Sequence, residues 1–425
     1  MAKQWYRIDN AGTIFPLTRG KNDTSSFRLA CLLKENASKD ALKKAVSITL
    51  ERFPSFKVKL KRGFFWFYLE TNFLEPVILD ESPILSRAVS LKEQNDYLFK
   101  VCVFEKRVSI EFYHALTDGM GGMEFFKAVL YNYFVCIGHK FVNSYSVLTS
   151  EIEELYEETK DSFLLNYDKT IKDYPKDTRA YKIKGFPFKT NFIGAFYIIC
   201  NTASILSAAK KYNATLGEYI SSLIILGIYN CYFKNDPNTK NRPIRITLPV
   251  NLRKYFNSRT LRNFVLFIRT SHLYNENIIL EDVIKDVKNK FSTELTLPFL
   301  HRRLAQNMNF EKAFFIRIIP LFLKIPLVKI GYKIASDNVS TFSYSNLGKI
   351  NVPLEFNDLV DRFEFLIPPS QTSPVNASSI SFNNKTILTL TSRIIDRKIQ
   401  SFVINQLIKD NVDLVIETNE MEVGV

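Results

Sequence analysis

Along this chain the hydrophobic residues change spacing repeatedly, from the alternation of a strand to the three-to-four repeat of a helix, in two runs separated by one break. That pattern implies two related layered halves, each a sheet with flanking helices. In the first run residues 27–34 read as a strand, and Ser38 is placed to cap a helix through Arg52 that Pro54 closes. Residues 56–61 and 64–70 read as a hairpin turning at Arg62-Gly63. Two more strands follow at 98–105 and 108–113, turning at Glu105-Lys106-Arg107, and a helix runs from Gly122 to about Val135.

Between His139 and Lys189 the strand signals thin out, and acidic residues concentrate at 151–161 as a solvated helix face. The expected division is therefore 1–150, a linker at 151–190, and 191–425. The second run predicts a strand at 192–201, a helix after it, and a helix capped by Thr215 reaching Phe233. Strands at 244–250 and 264–273 come next, then one long helix over 281–307. The chain closes with strands near 341–345, 363–367, 379–382 and 386–392, a helix over 396–409 and a strand at 412–416. Residues 314–334 are strongly apolar but are interrupted by Arg317, Lys324, Lys329 and Lys333 and by two prolines, Pro320 and Pro326. They read as a buried helix pair, with an amphipathic surface toward a membrane or a lipophilic ligand as the alternative.

Composition removes several classes. The chain is long enough, at 425 residues, to bury full cores without metal or disulfides. Its hydrophobic share of 46% against 24% charged residues is that of a globular protein. With 36 phenylalanines and 20 tyrosines against 14 glycines, the cores should be rich in aromatic rings. Cys31, Cys102, Cys136, Cys200 and Cys231 lie far apart in odd number, which predicts free thiols and neither a disulfide framework nor a zinc ribbon. Four scattered histidines make a metal site unexpected. The opening residues MAKQWYRIDNAG lack the apolar stretch of a secretory signal, and no segment has the length and apolarity of a span. A cytoplasmic protein, at most peripheral to a membrane, is expected. The net charge of +14 is spread along the chain without a nucleic-acid footprint, so no nucleic-acid partner is expected.

The segment that carries chemistry is Tyr113-His114-Ala115-Leu116-Thr117-Asp118-Gly119-Met120-Gly121-Gly122. It follows a strand and opens a helix, so His114 sits where a rigid scaffold hands over to a loop. An imidazole titrating near neutrality suits removal of a proton from a hydroxyl as it attacks a carbonyl. Asp118 could orient that ring, or it could turn away and pin the loop through an arginine. Gly119, Gly121 and Gly122 supply positive φ or close backbone approach. His139, His272 and His301 lack such a context and read as surface or core histidines.

His114-x-x-x-Asp118-Gly119 after a strand, in a chain of this length, resembles the active-site motif of the CoA-dependent acyltransferase superfamily. The superfamily includes chloramphenicol acetyltransferase, the plant BAHD enzymes, peptide-synthetase condensation domains and the alcohol acetyltransferases. The last branch is the most similar, because Trp5-Tyr6-Arg7, Pro249-Val250-Asn251-Leu252-Arg253 with Asn263-Phe264, and Ser345-Asn346-Leu347-Gly348 follow in the expected order. The departures narrow the choice. Tyr113 stands where condensation domains carry a first histidine, and the BAHD motif Asp-Phe-Gly-Trp-Gly is absent.

The resemblance implies an α/β (α+β) protein of two chloramphenicol-acetyltransferase-like halves, each a mixed sheet with flanking helices, meeting at a tunnel with His114 at its midpoint. It implies His114 as general base, Asp118 in a structural salt bridge with Arg253, and Gly119 as the residue that shapes the loop. Ser343, Ser345 and Asn346 are candidate donors to a tetrahedral oxyanion. No permanently bound cofactor is implied; acyl-CoA, or the phosphopantetheine of an acyl carrier protein, is the co-substrate. The acceptor is expected to be an alcohol-type small molecule or a lipid, and the protein a monomer. Acyl-carrier-dependent transfer or condensation is one alternative, and a non-catalytic relative binding a carrier protein or lipid is another.

Overall fold

In the computed structural model, which describes residues 4–20, 25–82, 84–85, 91–142, 146–172, 177–189, 192–236, 242–272, 278–312, 318–335 and 339–420, the two runs of patterning become two cores. The first forms around a five-stranded sheet. Its order is β12 (Val360–Leu366), β2 (Ser26–Leu33), β7 (Arg107–Tyr113), β6 (Phe99–Phe104) and β5 (Ile78–Asp80), antiparallel except for the β5–β6 pair. Helices α2 (Lys39–Arg52) and α3 (Gly119–Cys136) pack on each other beside it, joined by a bond of 2.9 Å from Asn132 Nδ2 to Thr49 Oγ1. Rings fill this core as the composition predicts: Phe53, Phe56, Phe99, Phe112 and Phe125 form one interlocked group of stacked and edge-on pairs.

A second, antiparallel sheet of three strands, β1 (Trp5–Arg7), β4 (Phe67–Thr71) and β3 (Val58–Arg62), ties the N-terminus to the hairpin. The hairpin does not turn at Arg62-Gly63 alone. Gly63 N–H donates to the Trp66 carbonyl at 2.9 Å, so Phe64 and Phe65 form the tip and leave the ladder.

The other core lies under a seven-stranded sheet, in the order β10 (Val265–His272), β9 (Ile244–Asn251), β11 (Phe342–Lys349), β13 (Val375–Phe382), β14 (Lys385–Ser392), β8 (Gly194–Asn201) and β15 (Leu414–Thr418). The sheet is mixed, because β11 runs parallel to both β9 and β13 while the other pairs are antiparallel. Helices α4 (Ser162–Leu165), α5 (Thr202–Lys211), α6 (Leu216–Ile228), α7 (Leu280–Glu294) and α11 (Lys398–Lys409) supply its apolar cover. One crossing stitches the two assemblies. After β11 the chain passes through the short α10 (Phe356–Leu359) and returns to the first sheet as β12, where Phe363 and Phe365 enter the first core.

Two further expectations change in the second half of the chain. Residues 281–307 are not one helix: α7 stops at Glu294 and α8 (Leu297–Lys312) starts afresh. Pro298 explains the break, since it has no N–H for the Glu294 carbonyl and its ring would collide with that group in a continuous helix. The described part of the apolar segment 314–334 does not form a buried helix pair. Residues 313–317 lie outside the described residues, and Leu321–Ala335 forms α9, which buries Leu321 and Lys324 but leaves Phe322, Leu323, Leu327 and Ile330 exposed. Pro326 is accommodated on that outer face, where only the Phe322 carbonyl loses a helical donor.

Candidate active site at the junction of the two sheets

His114 is the first residue beyond β7, and its backbone N–H donates to the Ser25 carbonyl at 2.9 Å, just before β2 begins. Two rings hold the imidazole. Phe15, on the short helix α1 (Ile14–Thr18), stacks on it with centroids 4.8 Å apart, and Phe27 of β2 leans on it at 4.8 Å with a tilt of 48°. Beside them Arg19 places its guanidinium over the Tyr113 ring at 5.0 Å. The His114 carbonyl accepts from Asn263 Nδ2 at 2.8 Å, a contact that comes from the seven-stranded side of the molecule.

Asp118 is buried, and its carboxylate accepts five hydrogen bonds. As the N-cap of α3 it takes the Met120 and Gly121 N–H groups at 3.1 and 3.0 Å. That cap is why α3 begins at Gly119 and not at Gly122. Across the junction its two oxygens take Arg253 Nη1 and Nη2 at 2.9 and 3.0 Å, and the Phe264 N–H adds a fifth bond at 2.8 Å. Arg253 is itself fixed by the Thr260 and Arg262 carbonyls, each at 2.7 Å. Of the two roles open to Asp118, this geometry is that of a pin between lobes. Thr117 Oγ1 adds a parallel link to the Leu261 carbonyl at 2.6 Å.

The glycines act by close approach and not by positive φ, which among described glycines occurs only at Gly138 and Gly348. A Cβ on Gly119 would press on Leu347 at 3.0 Å, and one on Gly121 would overlap the Leu261 carbonyl oxygen and the Thr117 hydroxyl. Ser343, Ser345 and Asn346 lie on β11 with Leu347. Ser345 is buried, whereas Asn346 is exposed and its Oδ1 accepts the Gly348 N–H at 2.8 Å. The structure thus brings together His114, Asp118, Gly119 and Arg253. No described hydrogen bond joins Ser345 or Asn346 to them.

Asp9 belongs to the site and escaped sequence reasoning. It is fully buried, takes the Gly12 N–H at 2.6 Å, and shares Asn263 Nδ2 with the His114 carbonyl, at 3.1 Å. Burial raises its carboxyl pKa to about 6, and nearby Asp161 adds to the rise; Arg262, Asn263 and the Gly12 N–H pull the other way. Phe15 and Phe27 were missed for the same reason, since positions 9, 15, 27, 114 and 263 share no spacing. The remaining histidines lie apart. His139 is exposed after α3 with its ring edge-on to Phe134, His301 packs on Phe256 at 4.8 Å, and the His272 side chain is outside the described residues.

No protein-family model and no curated protein sequence matches the chain. Solved structures do match over nearly its whole length. Polyketide synthase associated protein 5 from Mycobacterium tuberculosis superposes with a TM-score of 0.62 at 12% identity, over 94% of this chain and 96% of that one. The TRI3 trichothecene 15-O-acetyltransferase from Fusarium sporotrichioides gives 0.60 at 11% identity, over 96% and 94%. TRI101 from F. graminearum, in complex with coenzyme A and T-2 mycotoxin, gives 0.58 at 8% identity, over 98% and 100%. At these identities the likeness is one of fold. Two mixed sheets with flanking helices, stitched by β12 and joined at Asp118, give this chain the fold of these solved structures.

Proposed function

We propose that the protein is an acyltransferase that moves an acyl group from acyl-CoA to a hydroxyl acceptor, with His114 as general base. The observation that carries the reading is the placement of His114: it ends a strand of one sheet, is clamped by Phe15 and Phe27, and is tied through Asn263 to the other. A catalytic group at the seam of two rigid bodies can be approached by two substrates from different sides, as a two-substrate transfer requires.

The chemistry follows from the residue type. The imidazole takes the acceptor hydroxyl proton while the oxygen forms a bond to the thioester carbonyl carbon, and the carbonyl electrons move onto oxygen. Collapse of that tetrahedral oxyanion breaks the carbon–sulfur bond, and the leaving thiolate takes the proton back from the imidazolium. The ester and free CoA thiol are the products, and the histidine is restored. Ser345 is a candidate oxyanion donor on β11, the strand whose Leu347 reaches Gly119. Asp118 and Arg253 act on this chemistry at one remove, as positioning residues that fix the loop.

The test is product analysis with acyl-CoA donors of several chain lengths and a panel of primary and secondary alcohols. Ester of the acyl group, formed in proportion to CoA released, supports the reading. Ester formed from an acyl-carrier donor but not from acyl-CoA reassigns the donor, and no transfer with either class overturns the proposal.

A further inference from the structure

The outer face of α9 and the tip of the β3–β4 hairpin form one surface that the acyl-transfer site does not use. On α9, Phe322, Pro326 and Ile330 recur every four residues beside Leu323 and Leu327, so all five share one face, and all are exposed. Phe322 and Ile330 each keep 60% of their area accessible. The opposite face is fastened to the hairpin: the Leu321 N–H donates to the Phe64 carbonyl at 2.8 Å, and buried Lys324 donates to the Phe65 carbonyl at 2.7 Å while lying over the Trp66 ring. The tip therefore moves with the helix, and Phe64, 68% exposed, and Phe65 extend its apolar face.

The charge of the two segments has one sign. Residues 57–69 hold four basic residues, of which Lys59 pairs with Glu70, α9 adds the buried Lys324 and the exposed Lys329, and neither segment contains an aspartate or glutamate. Arg62 and Lys329 are exposed within this surface. A soluble monomer rarely leaves so many large apolar side chains together in water. A second copy is a poor cover, because a two-fold contact would bring this basic face against itself. Exposed apolar side chains flanked by the cationic Arg62 and Lys329, with no carboxylate in either segment, match a lipid surface with anionic headgroups.

We infer that the outer face of α9 with the Phe64-Phe65 hairpin tip docks on an anionic membrane surface. Phe322, Leu323, Leu327, Ile330, Phe64 and Phe65 enter the acyl boundary, and Arg62 and Lys329 meet the headgroups. The face backs onto the site, since α9 packs on α1, the helix that stacks Phe15 on His114. Binding to vesicles needs no turnover, so it stands or falls separately from acyl transfer.

The experiment is flotation of the full chain with vesicles of phosphatidylcholine alone or doped with phosphatidylserine. The wild type should float with the doped vesicles, bind pure phosphatidylcholine far less, and come off as salt is raised. The triple variant Phe322→Ser, Leu327→Ser, Ile330→Ser should lower partition about tenfold or more. Arg62→Glu with Lys329→Glu, which leaves the apolar side chains in place, should lower it as well. Phe186→Ser, at a site 85% exposed elsewhere, should leave it unchanged. Three results would overturn the inference: no flotation of the wild type, flotation unaffected by both variant sets, or a wild-type dimer in sedimentation that the triple variant turns into monomer.

Discussion

At the residue scale the site turns on a carboxylate that reaches in two directions. Asp118 caps α3 on one side and takes the Arg253 fork on the other, with both partners largely withdrawn from water. Removing either one leaves a buried charge, which costs about 3–5 kcal/mol, and Asp118→Ala loses about 1 kcal/mol more with the cap. Denaturant unfolding should therefore show both Asp118→Ala and Arg253→Ala strongly destabilised, and the double variant less so than their sum. Arg253→Lys should recover only part of the loss, because an ammonium cannot grip both oxygens.

Asp9 makes a prediction of the opposite sign to the usual carboxylate. Its pKa is raised on folding, from 3.8 to about 6. Between those values the folded chain holds the proton more tightly than the unfolded one, so this contribution to stability is greatest below the lower value and declines as pH rises toward the upper. The change amounts to about 3 kcal/mol over the window. Thermal unfolding from about pH 4 to about pH 6 should show the wild type losing stability relative to Asp9→Asn by that order; a constant difference would remove Asp9 as the cause. His114 and Asp118 stood out in the sequence because strand-end position and motif spacing are local, whereas Arg253, 135 positions from Asp118, was named only through the resemblance. Asp9 was not, because its partners, Gly12 aside, come from elements about 100 to 250 positions away.

At the element scale the decisive feature is how closely α3 approaches the loop at 258–263. Gly121 faces the Leu261 carbonyl and the Thr117 hydroxyl with no room for a methyl group. Gly121→Ala should destabilise by about 3 kcal/mol or more, because the obstacle is backbone that is itself bonded to Glu158 and Thr117. An alanine that unfolds with the wild type would show that the loop can retreat. Element types were mostly readable, since period and capping residues such as Ser38 and Thr215 act within a turn. What failed was tertiary. The break before Pro298 depended on one ring inside an otherwise helical pattern, and the exposure of α9 could not be read from apolarity, which is the same for a core helix and an interfacial one.

On the scale of the whole molecule, two cores meet along a seam that carries the site, and β12 locks the seam by leaving one sheet for the other. The alternating pattern announced two layered halves, but this exchange is invisible to periodicity because a strand reads alike in either sheet. The seam explains the number of cross-lobe bonds gathered near His114, from Asn263, Phe264 and Arg253 on one side to Asp9, His114 and Asp118 on the other. Loosening it should reduce activity even where the imidazole is untouched. The most direct measurement is release of free thiol from acyl-CoA in the presence of an alcohol acceptor, compared between the wild type and a His114→Ala variant whose unfolding curve matches it. The account predicts a loss of about a hundredfold or more in the variant. Equal rates in the two proteins would contradict it.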